Sequence, residues 1–310
     1  MKKRNSLIEL YRFFFAINVV KNHGFCPWEI PYMSPGRVSV EFFFILSGYL
    51  FLSYLERIKD EPLKKGAPRL IYKKMKPLFF PVVIGLCSNL VTNILEKEYF
   101  TGLWGYMWYI HAMIITYLVY YVIRHFIKSE KLFTYTVLLI FTVATLMRFS
   151  GVFYSWGYVR AASAISLGML VAKLPKLKTK RKYPIAIATA FSFILSASVV
   201  IFNLGDTEIL GGFRIVEFLL DTLFYPSLIY FTFRLNISSK VLNYLGALSF
   251  GLYAFQCPAD MIRVLGVSNR YVLLVIIISL TVAEDGIKRI VRYRSSRAAS
   301  GEKEIRGSAA

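Results

Sequence analysis

The sequence predicts an all-α fold, a polytopic integral membrane helix bundle of about ten transmembrane helices. Three observations predict it. The chain has 310 residues, 56% of them hydrophobic, and a mean hydropathy of +0.52. Its apolar runs are too many and too long for a soluble domain with a polar surface. Lys and Arg are also distributed unevenly between the loops that alternating spans would create.

A helix needs roughly 20 apolar residues to cross a hydrocarbon core about 30 Å thick. Ten such runs begin near Leu7, Val38, Leu78, Tyr106, Leu132, Ala161, Pro184, Ile215, Val241 and Tyr271, the one from Ala161 being short. Lys2, Lys3 and Arg4 before the first run give it the look of a signal peptide. However, Glu9, Arg12, Lys21 and His23 interrupt it, and no small-residue cleavage site follows, so it is expected to stay in the mature protein. No linker or 20–50-residue repeat divides the chain. Residues 1–294 are read as one membrane domain and 295–310 as a disordered cytoplasmic tail.

The formal net charge of +20 invites a nucleic-acid reading, and its distribution argues against one. Ten spans put both termini on one side. The loops on that side carry 29 Lys and Arg, against 7 on the other. This is the positive-inside pattern, so the reading is a multi-pass plasma-membrane protein with both termini cytoplasmic. The expected surroundings are the lipid bilayer, with no nucleic acid. Three cysteines (Cys26, Cys87, Cys257) cannot build a disulfide framework. Cys26 and Cys257 fall at predicted outer helix ends, where a pair is possible but two unrelated thiols are the simpler reading.

Ionisable residues inside a span are costly and are candidates for function. Arg12 and His23 are eleven residues apart, so at 100° per residue they return to within about 20° of one helix face and stand about 16 Å apart along the axis. Glu9 shares that side. The stripe is either structural, satisfied by neighbouring helices, or part of a site. Depth sorts the remaining polar residues. His23, Glu41, His111, Arg160 and Gln256 fall near the outer surface. An imidazole with carboxylate and guanidinium neighbours has the composition of a general-base site. Glu9, Arg12, Lys73, Lys74 and Lys76 fall near the inner surface. They suit a polyphosphate, or are ordinary cytoplasmic charge. Glu217 and Asp221, four apart on one helix face, either hold a proton or cation or pair with arginines of neighbouring helices. Glu284 and Asp285 read as an interfacial cluster with Lys288 and Arg289. No metal site is expected.

Three segments, in order, carry a resemblance. Ser6 to Gly24 (SLIELYRFFFAINVVKNHG) holds Arg and His separated by ten residues. Val38 to Leu50 (VSVEFFFILSGYL) has Glu41 at an acidic position and Ser47-Gly48. Leu245 to Pro258 (LGALSFGLYAFQCP) is a late helix ending in Pro. Trp108-Tyr109, and Arg160 followed by Gly168, are weaker echoes. Together they resemble the family-3 membrane acyltransferases across most of the chain. The resemblance implies transfer of an acyl group, usually acetyl, from cytosolic acyl-CoA to a hydroxyl of a cell-surface or lipid-linked carbohydrate. Acetyl-CoA would be the donor substrate. His23 would be catalytic, Arg12 would help bind the donor, and Ser47 and Gly48 would line a tight passage between donor and acceptor. Lys73, Lys74 and Lys76 stand where the family has an arginine-rich approach to a Pro. Trp108, Arg160 and Gln256 are placed on the acceptor side.

Two positions depart from the family's pattern. Gln256 occupies the late-helix position commonly held by histidine, and His111 is the candidate to replace it. Glu41 stands for the usual Asp. With no esterase-like domain after the last run, no second transfer stage is expected in this chain. The rival function is a transporter or flippase for a saccharide or lipid precursor, favoured by Glu217 and Asp221. Against it, no pair of repeats and no matching broken helices are visible.

Overall fold

A computed structural model describes residues 5–25, 37–96, 107–150, 157–175, 182–202, 215–235 and 237–308, with side chains from Ser39 in the second stretch and to Val291 in the last. Helices account for the regular structure among these residues: α1 (Ser6–Asn22), α2 (Arg37–Ile58), α3 (Leu63–Met75), α4 (Phe79–Leu95), α5 (Trp108–Phe126), α6 (Glu130–Phe149), α7 (Gly157–Lys173) and α8 (Lys182–Ile201). They continue as α9 (Ile215–Leu219), a π-helical turn (Leu220–Phe224), α10 (Tyr225–Thr232), α11 (Lys240–Ala254), α12 (Gln256–Val264) and α13 (Arg270–Ser308). Cys26 lies outside the described residues, as do the centres of the outer loops before α2, α5, α7 and α9.

Each of the ten apolar runs is helical, because in lipid a helix satisfies its own backbone. By length and composition, however, four described helices qualify to cross a membrane: Ser39–Ile58, Glu130–Phe149, Lys182–Ile201 and Ile215–Thr232. A fifth results if α3 and α4, bent by 80°, count as one span. The expected count of about ten therefore exceeds what apolar length supports. The shortfall has physical causes. α1, α7 and α11 have 17, 17 and 15 residues, α5 ends in Arg124 and His125, and α13 carries Glu284 and Asp285. α13 also continues helically to Ser308, through most of the stretch expected to be a disordered tail.

Local signals set the ends. Asn5 caps α1 by accepting from the Leu7 amide (3.1 Å), and its side-chain amide donates to the carbonyls of Thr232 and Leu235, tying the start of the chain to α10. Ser129 and Ser239 cap α6 and α11 in the same way. Pro226 lacks an amide proton, and the preceding backbone widens into the π-helical turn that carries Asp221. α11 breaks at Phe255, and Pro258 follows in the first turn of α12.

Between lipid-embedded helices the hydrophobic effect is weak, so close packing and polar pairs hold the bundle. α2 and α7 run parallel. Glu41 meets Arg160 near their first turns, and further along Gly48 and Gly168 bring the two backbones together. A Cβ on Gly48 would lie 2.2 Å from the Ile165 carbonyl oxygen, and one on Gly168 would lie 2.0 Å from that of Ile45. α1 and α11 are also parallel, with Ser6 bonded to Asn243 and Gly246 pressed against Glu9. We expect Gly168→Ala to separate α2 from α7. The penalty should be about 1–3 kcal/mol, the usual cost of overpacking, read as a lower melting temperature in detergent. An unchanged melt would mean that the helix contact is not rigid.

Candidate functional site

The structure distributes the predicted outer residues over three neighbourhoods. His23 closes α1, and Gly24 follows with φ +78°, the left-handed geometry that ends a helix at glycine. Phe25 then turns back into the core, its amide donating to the Val20 carbonyl. His23 is half-buried, and the cation beside it is Arg263 of α12. Arg263 is ion-paired with Asp260 at 2.5 Å and lies 6.0 Å from the centre of the Phe25 ring. The imidazole thus has a guanidinium nearby that is itself paired with a carboxylate, and both come from α12. Spacing along α1 carries no sign of them.

Glu41 and Arg160 belong to a second neighbourhood. Arg160 Nε lies 2.7 Å from Glu41 Oε1, and Arg148 lies 3.4 Å from the same oxygen. Arg148 also reaches Glu217 Oε1 at 2.6 Å and Asp221 Oδ2 at 2.7 Å. All five side chains are buried. Of the two readings left open for Glu217 and Asp221, the structure shows pairing with arginines. The acids also sit in the first two turns of their helix, not at its centre. Arg148 is not among the residues singled out from the sequence. Its signal was legible, since it ends an apolar run from Leu132 unbroken by Gly or Pro.

The third neighbourhood is the corner where α5 and α7 begin. His111 Nδ1 is 2.7 Å from the Tyr158 hydroxyl, and Trp108 covers Gly157 so closely that a Cβ there would lie 2.5 Å from the indole ring. Gln256, fully buried, opens α12 and donates from Nε2 to the Leu252 carbonyl (3.2 Å). Its neighbour Cys257 is hydrogen-bonded to Asn89.

Deeper in the bundle, Arg12 pairs with Glu9 at 2.7 Å. Arg12 is also near enough to Tyr109 to act on it electrostatically. Ser47 lies close to the phenols of Tyr109 and Tyr117, two helical turns apart on α5, and donates to the Phe44 carbonyl at 2.9 Å. Its one hydroxyl proton is thus held by the backbone, which argues against Ser47 as a free nucleophile. Gly48, expected to line a passage, instead packs against Ile165 on α7. The requirement for a small side chain was legible, but its cause is helix contact.

The inner residues converge on aromatic rings. α3 carries five basic residues and is bent by 80° from α4, outside the four helices that qualify as spans. Lys74 Nζ lies 4.9 Å from the centre of the Tyr117 ring and 5.4 Å from those of Phe51 and Tyr54, and Lys73 Nζ is 4.5 Å from that of Tyr54. Burial, followed by the charges of Lys73 and Arg57, draws the Lys74 ammonium down to about 8. Lys76 faces the exposed Tyr72 ring instead (5.4 Å). A polar line thus runs from Lys74 through Tyr117, Ser47 and Tyr109 to the neighbourhood of Arg12. The eight-residue spacing of Tyr109 and Tyr117 was its only sequence signal.

Residues 7–283 match the acyltransferase 3 family, described as an acyltransferase domain. The chain belongs to this family. The family is one of acyltransferase domains, and the apolar helices of this chain agree with a membrane member of it. An amino-acid racemase of Enterococcus faecalis is 33% identical over 136 residues, covering 37% of this chain and 19% of the racemase. The chain thus spans less than a fifth of that relative's length. No solved structure matches. Among the described residues, no cluster of three or more His, Cys, Asp or Glu is arranged to hold a metal ion.

Proposed function

We propose that this acyltransferase moves an acyl group, acetyl in the simplest case, from cytosolic acyl-CoA to a hydroxyl of a cell-surface or lipid-linked carbohydrate at the plasma membrane. The observation that carries the reading is the polar line from the Lys74 cage to Arg12, on the helix that ends at His23. The phosphates of the donor dock on Lys73 and Lys74, and its extended arm follows Tyr117, Ser47 and Arg12 inward. The axial rise of about 16 Å from Arg12 to His23 is of the order such an arm spans. His23 takes the proton of the acceptor hydroxyl. The alkoxide attacks the thioester carbonyl, and Arg263 supplies positive charge for the tetrahedral oxyanion. As the carbon–sulfur bond breaks, the imidazolium returns its proton to the thiolate, giving the carbohydrate ester and free CoA. The Ser47 hydroxyl proton, held by the Phe44 carbonyl, favours direct transfer over an acyl-serine intermediate.

The transporter reading loses its support, because Glu217 and Asp221 are engaged by Arg148. The similarity to the racemase covers too little of that protein to carry its activity over. The test uses membranes supplied with acyl-labelled acyl-CoA and native glycan. Label should appear on glycan as an alkali-labile ester. Counterflow of unmodified saccharide without label transfer would overturn the proposal in favour of transport. In the same assay Lys74→Ala should raise the donor KM about tenfold, as expected for loss of a charge-assisted contact. Wild-type donor affinity should fall as pH rises through about 8, where Lys74 loses its proton. A donor KM unchanged in the variant would remove Lys74 from the donor site.

A further inference from the structure

Among the described residues the buried ion network contains more acid than base. Its described members come from α2 (Glu41), α6 (Arg148), α7 (Arg160), α9 (Glu217) and the π-helical turn (Asp221), and Tyr225 of α10 adds a phenol facing them. All five charged residues are at most 4% exposed. Arginine keeps its proton in any protein environment, so the three carboxylates, if all ionised, would outnumber the two described guanidiniums by one negative charge in a low-dielectric interior. Such a charge is neutralised instead, by taking a proton or a cation.

The geometry says where. Glu41 Oε1 touches both guanidiniums, at 2.7 and 3.4 Å, and Glu217 Oε1 also lies near both, at 2.6 and 3.8 Å. Asp221 has a contact with one alone, Arg148 Nη2 at 2.7 Å, and that nitrogen is already taken by Glu217. Oxygens of Glu217 and Asp221 thus converge on one nitrogen. Like-charged carboxylates sharing one site cannot both be ionised without penalty. In addition, Asp221 Oδ1 and Glu41 Oε2 are buried oxygens without a hydrogen-bond partner among the described residues. A carboxylic acid proton is the donor such a group lacks. The π-helical turn, which brings a side chain inward at the cost of a regular hydrogen bond, places Asp221 there.

We propose that this network is a proton-binding site, with one proton held on the Asp221 carboxyl at neutral pH. The network is then neutral, two carboxylates against two guanidiniums. The proton is a fixed part of the fold that locks α2, α6, α7 and the α9–α10 helix together. Because the folded state holds a proton that an unfolded aspartate has already released at neutral pH, stability falls as pH rises through neutrality, with a slope of one proton.

The test is infrared spectroscopy of the purified full-length protein, which separates the C=O stretch of a protonated carboxylic acid from carboxylate bands. Wild type should show the band at neutral pH, and Asp221→Asn, isosteric and permanently neutral, should lose it. The variant should also lose the tenfold change in unfolding equilibrium per pH unit that one proton confers. A band that persists in Asp221→Asn, or that vanishes in Glu41→Gln or Glu217→Gln instead, would overturn the assignment. Absence of the band in wild type, together with a melting temperature that rises on adding Na⁺ or K⁺, would replace the proton by a metal cation. The wild-type spectrum decides between these even where a variant fails to fold.

Discussion

Replacing His23 with alanine should lower acyl transfer by about 10²–10⁴-fold, the usual contribution of a positioned general base, while leaving the melting temperature near that of wild type. The second half follows from position. His23 stands past the last turn of α1, is half-buried, and uses its backbone to end the helix, so its side chain carries little of the packing. The loss should appear in kcat rather than in donor KM, because the proposed docking site of the donor phosphates is at Lys73 and Lys74, away from His23. Arg12→Ala should do the opposite, since the proposed path of the donor passes Arg12 near Tyr109. The measurement is labelled acyl transfer to glycan in membranes, with protein level and thermal melt followed in parallel. Undiminished transfer by His23→Ala would remove the imidazole from the mechanism.

Arg148→Met should be the most damaging single substitution for the fold. Arg148 is 1% exposed and is the only group among the described residues that touches Glu41, Glu217 and Asp221 together. Its removal leaves the buried carboxylates of Glu41 and Glu217, with the Asp221 acid, facing Arg160. Removing one partner of a buried pair costs about 3–5 kcal/mol, a large share of the roughly 5–15 kcal/mol that separates folded from unfolded protein. Little folded protein should be recovered from membranes, and what survives should melt well below wild type. Arg148→Lys should rescue only in part, since a single ammonium cannot reach several carboxylates as a planar fork does. The double variant Arg148→Met with Glu217→Gln, which removes one charge of each sign, should recover part of the loss. Wild-type stability in Arg148→Met would show that the network holds nothing together.

The sequence by itself determined the helices and the family. Apolar length and period are local properties, and a helix closes its hydrogen bonds within itself, so every run read as a span is helical. The stripe of Glu9, Arg12 and His23 was legible for the same reason, as spacing along one helix fixes a shared face. Hydropathy counting overreached in treating all ten helices as equally apolar, since short or charge-bearing ones rely on their neighbours for shelter. Only the tertiary structure decided which groups meet. Glu41 and Arg160 were placed at one depth with His23, yet they pair with each other 119 positions apart. His23 finds Arg263, and Arg148 finds Glu217, on helices distant in sequence. Such contacts depend on the rotation and crossing of whole helices, set at glycines such as Gly48 and Gly168 where backbones touch. That geometry is a property of two surfaces at once, and no spacing within one helix encodes it.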